Sequence, residues 1–232
     1  MSVVIKEIKN ERLKLQEIKM ANDAVIKGVE RPLPTAYNFF LLVCGAPGSG
    51  KSSLWINLIT KKESNTYFKK FDKILIFSNS FKTITKEINL PQERIFDGIS
   101  ELEEVIDLIR DTDDKILMIL DDVVADVKNE SHMLKLIYNR RHLAGGVSII
   151  LTTQVYNKVP LALRKAASDL ILFTTGNKKE IKSVYNDFIN IPEDAFQKIT
   201  QYCFKSKHDF MVYTTDSCSF YHNFNLLMLD FN

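Results

Sequence analysis

The chain has 232 residues, 45% of them apolar and 26% charged, with a formal net charge of +2. That is length for one ordinary domain with a real core, in a globular mix that excludes disorder as the default and a histone-like polycation. No apolar run approaches the ~18 residues of a membrane span, the Lys- and Glu-rich start does not read as a signal peptide, and Cys44, Cys203 and Cys218 are too few and scattered for a disulfide framework or a zinc site. A soluble, intracellular-type protein is expected.

In chain order, residues 1–36 read as a leading helix or loose arm, with Ile5, Ile8, Leu15 and Ile18 at partly helical spacing, and then a linker broken by Pro32 and Pro34. Five short apolar runs follow: Phe39–Cys44, Lys73–Phe77, Ile116–Leu120, Val147–Leu151 and Leu170–Phe173. Runs of this kind between polar stretches are how strands buried on both faces of a parallel sheet read. Helical spacing over Lys51–Thr60, Ser100–Arg110 and His132–Leu143 supplies crossovers, with Ser100 and Glu103 as a capping box for the second. An α/β sandwich with helices on both faces of a mostly parallel sheet is expected, as a domain over 37–232. After Phe173 the pattern changes to an extension over 176–232. Lys178–Phe188 and Glu193–Tyr202 are helical there, and Phe210–Thr214 and Phe220–Phe224 flank Asp216–Ser219 as a hairpin.

Gly45-Ala46-Pro47-Gly48-Ser49-Gly50-Lys51-Ser52 fits G-x-x-x-x-G-K-[ST] at every fixed position, between a buried-strand run and a helix pattern. Glycines there let backbone N–H groups converge on phosphate oxygens, and the helix amino terminus adds partial positive charge. Lys51 would reach the β- and γ-phosphates of ATP, Ser52 would coordinate Mg²⁺, and Ser53 closes the phosphate-binding set. Three of the chain's eight glycines lie in this octapeptide, so an accidental match is a poor explanation.

The run Ile116–Leu120 ends in Asp121-Asp122, at the edge where ligands of open α/β sheets bind. Asp121 would hold Mg²⁺ with Ser52, and Asp122 would orient and polarise an attacking water. Val147–Leu151 exits into Thr152-Thr153-Gln154, where Gln154 would sense the γ-phosphate; Tyr156, Asn157 and Lys158 would form a loop facing a partner. Arg140, Arg141 and His142 close a helical run. Basic residues in a last helical turn ordinarily serve the dipole; the alternative is an arginine finger inserted into a neighbour's site, by Arg141 or else Arg140 or Arg164. His132, His208 and His222 show no metal spacing and read as structural or solvated, and Met118 and Trp55 as core.

Taken in order, the phosphate loop at 45–52, Asp121-Asp122, Arg141-His142 before a strand and then Thr153-Gln154 resemble the poxvirus-type genome-packaging ATPases of large DNA viruses and virophages, in the FtsK/HerA superfamily of P-loop NTPases. The likeness covers roughly residues 37–175. It implies a three-layer RecA-like (ASCE) fold and the roles named above for Asp121, Asp122 and Gln154, with Arg141 acting in trans. It further implies a homo-oligomeric ring, a hexamer, that pumps double-stranded DNA into a capsid through its portal vertex, in the host cytoplasm or viral factory or on the virion. With no recognisable DNA-reading motif, contacts would come from channel loops touching phosphates, with Lys82, Lys128 and Lys158 as their positions. Two other classes fit the phosphate loop alone: a nucleoside or nucleotide kinase, and a nucleotide-gated assembly switch.

Overall fold

Every residue of β1, Phe40–Cys44, is buried, because β1 runs mid-sheet between β5 and β6 with helices over both faces. Phe40, Leu42 and Cys44 point to one face and Leu41 and Val43 to the other, the alternation that a two-sided core requires. The computed structural model describes residues 24–62, 65–88, 94–124 and 130–230. Within them lies one nine-stranded sheet of order β3-β2-β4-β5-β1-β6-β7-β8-β9. The strands are β1, β2 Lys73–Ser78, β3 Ile95–Asp97, β4 Ile116–Asp121, β5 Val147–Thr153, β6 Asp169–Phe173, β7 Phe210–Thr214, β8 Ser219–His222 and β9 Asn225–Leu226. The first six are parallel, and the last three add antiparallel to β6.

One face of the sheet is covered by α1, Lys51–Thr60, and α2, Phe81–Glu87, through Trp55, Leu58, Ile59, Ile84 and Ile88. The other carries α3 Leu102–Ile109, α4 Glu130–Asn139, α5 Leu161–Lys165, α6 Lys178–Phe188 and α7 Glu193–Cys203. From these, Val105, Leu136, Leu163, Val184 and Phe196 enter the second core. The expected three-layer α/β architecture is what forms.

Several local expectations need correction. The Ser100–Glu103 capping box does not form: α3 starts at Leu102, its N-cap is Glu101, and no side chain caps it. The turn that follows β3 uses residues 98–100 itself, through Gly98 at φ 71° and the Leu102 N–H donating to Ile99. The run ending at Asn139 gives way to a 3₁₀ turn over Arg140–His142 instead of continuing as α-helix. The second hairpin strand, expected over Phe220–Phe224, is β8 and ends at His222; a turn at Asn223, with φ 55°, and Phe224 then leads into the short β9. Residues 24–36, read as linker, are packed: Val25 bridges Ala36, and Ile26, Val29 and Leu33 enter the α1-side core. The leading helix expected from residue 1 lies, up to residue 23, outside the described residues. Among the described residues no helix is long and apolar enough to cross a membrane.

Candidate active site

Because β1 to β6 run parallel, their carboxyl ends share one edge, and the chain places its chemistry there. The phosphate loop leaves β1 and enters α1. A Cβ at Gly45 would stand 2.6 Å from Phe173 Cβ, so only glycine lets the loop pass this close to β6. Gly50, the N-cap of α1, has φ 111°, a conformation that side chains resist. The loop thus closes round a space bordered by backbone and the first turn of α1. The Lys51 ammonium turns back into it, donating to Gly45 O at 2.6 Å and Ala46 O at 3.2 Å. Burial lowers the Lys51 pKa, opposed by the charges of Asp122, Cys44 and Asp121. The Ser49 hydroxyl is buried in the same loop with no hydrogen-bond partner among the described residues. A cationic side chain satisfied only by its own loop's carbonyls, beside an unsatisfied buried hydroxyl, fits an anion cradle.

Asp121, 3% exposed at the end of β4, is held by donors from three other elements. Trp55 Nε1 of α1 donates at 3.0 Å and Thr152 Oγ1 of β5 at 2.8 Å to one carboxylate oxygen; Ser78 Oγ of β2 donates at 3.1 Å to the other. Ser52 Oγ lies 3.4 Å from both oxygens. The carboxylate therefore has one orientation, facing the first turn of α1. Among the described residues no group of three His, Cys, Asp or Glu side chains forms a metal cluster. Mg²⁺ does not need one, since it binds through one or two protein oxygens with phosphates and water completing its octahedron. Ser52 and Asp121 offer such a pair.

Asp122 has φ 58°, a left-handed kink that an aspartate tolerates better than most residues. The kink carries the chain off β4 and over the tip of β5. There the Asp122 N–H donates to Thr152 O at 3.3 Å and Thr152 Oγ1 at 3.0 Å, and its carboxylate accepts from the Gln154 amide. Since β5 lies between β1 and β4, Gln154 stands between the phosphate loop and the acidic pair. Beyond it, Glu180 of α6 accepts the Tyr156 N–H at 3.1 Å and pins the segment that follows Gln154. Tyr156 is buried, which corrects its placement in a partner-facing loop; Asn157 and Lys158 are exposed. Cys44, beneath the loop, has its thiol pushed up to about 12 by burial, with Glu180 adding to the shift. It is no nucleophile.

The arginines separate clearly. Arg140 donates through Nε to Asn38 O at 2.7 Å and through Nη1 to Ile137 O at 2.6 Å, so it ties α4 to the entrance of β1. Burial, then the Arg141 charge, lowers its pKa. Arg164 pairs with Asp187 at 2.5 Å and lies over the Tyr156 ring at 4.7 Å, with 13% of its side chain exposed. Arg141 is exposed, on the 3₁₀ turn at the edge where the parallel strands begin. That is a strand length from its own chain's phosphate loop, roughly 20 Å at about 3.3 Å per residue. Lys82 and Lys158 are exposed and follow β2 and β5 on the ligand edge, though Lys82 sits on α2 rather than in a loop; Lys128 lies outside the described residues.

Trp55, Ser78, Thr152 and Glu180 were not legible as site residues. Trp55 is core, as its type suggests, and also a carboxylate ligand; an indole N–H buried next to a strand-end aspartate needs such a partner. His208 likewise does more than its isolated spacing suggested, donating to the phosphate loop at Ser49 O over 3.0 Å.

No protein-family model matches the chain, nor does any curated protein sequence. Solved structures do. The DNA-packaging ATPase B204 of Sulfolobus turreted icosahedral virus superimposes with TM-score 0.59 at 17% identity, over 82% of this chain and 99% of that one. The genome packaging NTPase B204 of Sulfolobus turreted icosahedral virus 2, in complex with sulfate, gives 0.61 at 15% over 82% and 98%. This chain has their fold. The conjugation coupling protein TcpA of pCW3, with ATPγS, gives 0.53 at 13% identity over 84% of this chain and 61% of that one. The second virus's B204 is also solved with AMP, AMPPCP and ATPγS.

Proposed function

We propose that this chain is an ATP-hydrolysing motor that translocates double-stranded DNA into a viral capsid. The observation that carries the hydrolytic part is the Gln154–Asp122 contact above Thr152, placed on the strand between the phosphate loop and the acidic pair. It joins the residue that would sense the γ-phosphate to the one that would polarise water. In this reading Gly45–Ser53 bind the phosphates, Ser52 and Asp121 hold Mg²⁺, and Asp122 accepts a proton from the attacking water while Gln154 fixes the carboxylate. Lys51 and the amino terminus of α1 stabilise the charge that develops on the transferred phosphoryl group. The packaging role draws support from the fold shared with the viral ATPases, and the ring from Arg141, which is exposed a strand length from its own chain's phosphate loop. A hexamer, a capsid or portal partner, and residence in the host cytoplasm, viral factory or virion belong to the same proposal.

Duplex DNA should raise the ATPase rate several-fold whatever its base sequence. Binding should weaken steeply with salt, because neutralising phosphates releases counterions. A rate indifferent to DNA but dependent on a small phosphate acceptor would make the protein a kinase and end the motor reading. Slow turnover that neither DNA nor an acceptor accelerates would leave a nucleotide-gated switch.

Asp122→Asn isolates the water-activating step. It should bind ATP–Mg²⁺ normally and turn over at least about a hundredfold more slowly, the scale of a lost general base. Full activity in single-turnover assays would remove Asp122 from that role.

A further inference from the structure

The carboxyl-terminal extension brings a second basic element to the phosphate loop. Since β7 runs antiparallel to β6 with Phe210 opposite Phe173, the turn feeding β7, Lys205–Asp209, stands on the ligand edge. It is firmly braced there. The Thr174 N–H donates to Asp209 O at 2.9 Å, the Thr174 hydroxyl lies 2.7 Å from Ser206 O, and the Ser206 N–H donates to Asp209 Oδ2 at 2.8 Å. His208 Nδ1 is 3.0 Å from Ser49 O, and as a carbonyl can only accept, Nδ1 carries the proton. The turn is thereby fastened to the phosphate loop itself.

Lys207 precedes this anchor. Its Nζ lies 3.2 Å from the point a Cβ on Gly48 would occupy, at the apex of the loop. Lys207 is exposed, and among the described residues it makes no ion pair. An ammonium held beside the apex of an anion cradle, by a turn hydrogen-bonded to that cradle, is more than a solvating surface charge. Its side of the loop is also informative. In the sheet, β6 and β7 flank β1 on one side, and β5 and β4, with Gln154, Asp122 and Asp121, on the other. The metal and water chemistry belongs to the second side, which leaves the first to the nucleoside-proximal phosphates.

We propose that Lys207 is a phosphate ligand of the nucleotide site, holding the phosphates common to ADP and ATP, and that His208 is its positioning residue. The proposal rests on reading Gly45–Ser52 as a nucleotide site. An interaction with phosphates present in both nucleotides strengthens binding of each equally and does not distinguish the reacting γ-phosphate.

Titration with fluorescent ADP and ATP analogues tests it in five variants. Lys207→Ala should weaken both nucleotides about five- to tenfold and by the same factor, the scale of one charge-assisted hydrogen bond in a partly exposed site. Lys207→Arg should recover most of the loss, and Lys205→Ala, which removes the same charge two residues away, should bind as wild type. His208→Ala should reproduce part of the Lys207→Ala loss, and His208→Asn, which keeps an N–H donor, should restore it. Lys207→Ala within twofold of wild type for both nucleotides, or a loss confined to ATP, overturns the inference. Lys51→Ala is the control for the reading beneath it. If Lys51→Ala also binds as wild type, the loop is no nucleotide site; if Lys51→Ala loses binding while Lys207→Ala keeps it, the Lys207 assignment alone falls.

Discussion

Lys51→Ala should bind ATP and ADP about a thousandfold more weakly than wild type and show no DNA-stimulated hydrolysis. Lys51 is 7% exposed, and its ammonium spends two donors on Gly45 O and Ala46 O, which draws it into the loop ahead of any ligand. Replacing carbonyl oxygens by phosphate oxygens exchanges dipoles for full charges, so its contribution grows when nucleotide enters. Removing one partner of such a desolvated charge pair costs about 3–5 kcal/mol, or roughly two to three and a half decades in affinity. The same substitution leaves two loop carbonyls without their donor, so the loop itself should loosen. Equilibrium titration separates the effects: lost affinity with an unchanged melting temperature assigns the loss to the phosphates. Undiminished hydrolysis by the purified variant, with contaminating ATPase excluded, would mean that the octapeptide has been misread.

The parallel core was legible because of its burial. A strand covered on both faces has no polar positions to interrupt it, so β1, β2, β4, β5 and β6 announce themselves as apolar runs. β3 escaped notice: it has three residues at the sheet edge, and Asp97 at its end is exposed. α2 and α5, at seven and five residues, are too short for a helical period to register. The same division runs through the site. The phosphate loop is a local device whose glycines and lysine act within eight consecutive residues. The acidic pair could be placed as well, since a strand end falls on a known edge. What fixes Asp121 comes from elsewhere: Trp55 from α1, Ser78 from β2 and Thr152 from β5 meet one carboxylate only after the sheet order brings their elements together. No spacing in the chain could announce that order. His208 illustrates the same limit, lying 159 residues from the Ser49 carbonyl it meets.

Arg141→Ala should assemble and bind ATP yet hydrolyse it about a thousandfold more slowly. The geometry within one chain makes this prediction sharper than the sequence could. Arg140 and Arg164 bind Asn38, Ile137 and Asp187 of their own subunit, and Arg141 is exposed on the edge opposite its own phosphate loop. A direct contact of Arg141 with a transferring phosphoryl group would therefore be made in a neighbouring subunit. An arginine that takes up charge on a transferring phosphoryl group contributes about a thousandfold or more, near 4 kcal/mol. One that serves only its helix dipole contributes well under about 1 kcal/mol when exposed, and it appears as stability rather than rate. Mixing distinguishes them. Lys51→Ala subunits have a dead site and an intact finger; Arg141→Ala subunits have the reverse. In mixed rings some intact sites face intact fingers, so activity absent from either variant alone should partly return. If the two demonstrably co-assemble and nothing returns, Arg141 does not act across the interface. Repeating the mix with Arg164→Ala then tests the remaining arginine, which would have to leave Asp187 and the Tyr156 ring to reach a neighbour. Its loss should first lower the melting temperature, because that pair holds α5 against α6 and the ring contact holds it against the turn at Tyr156.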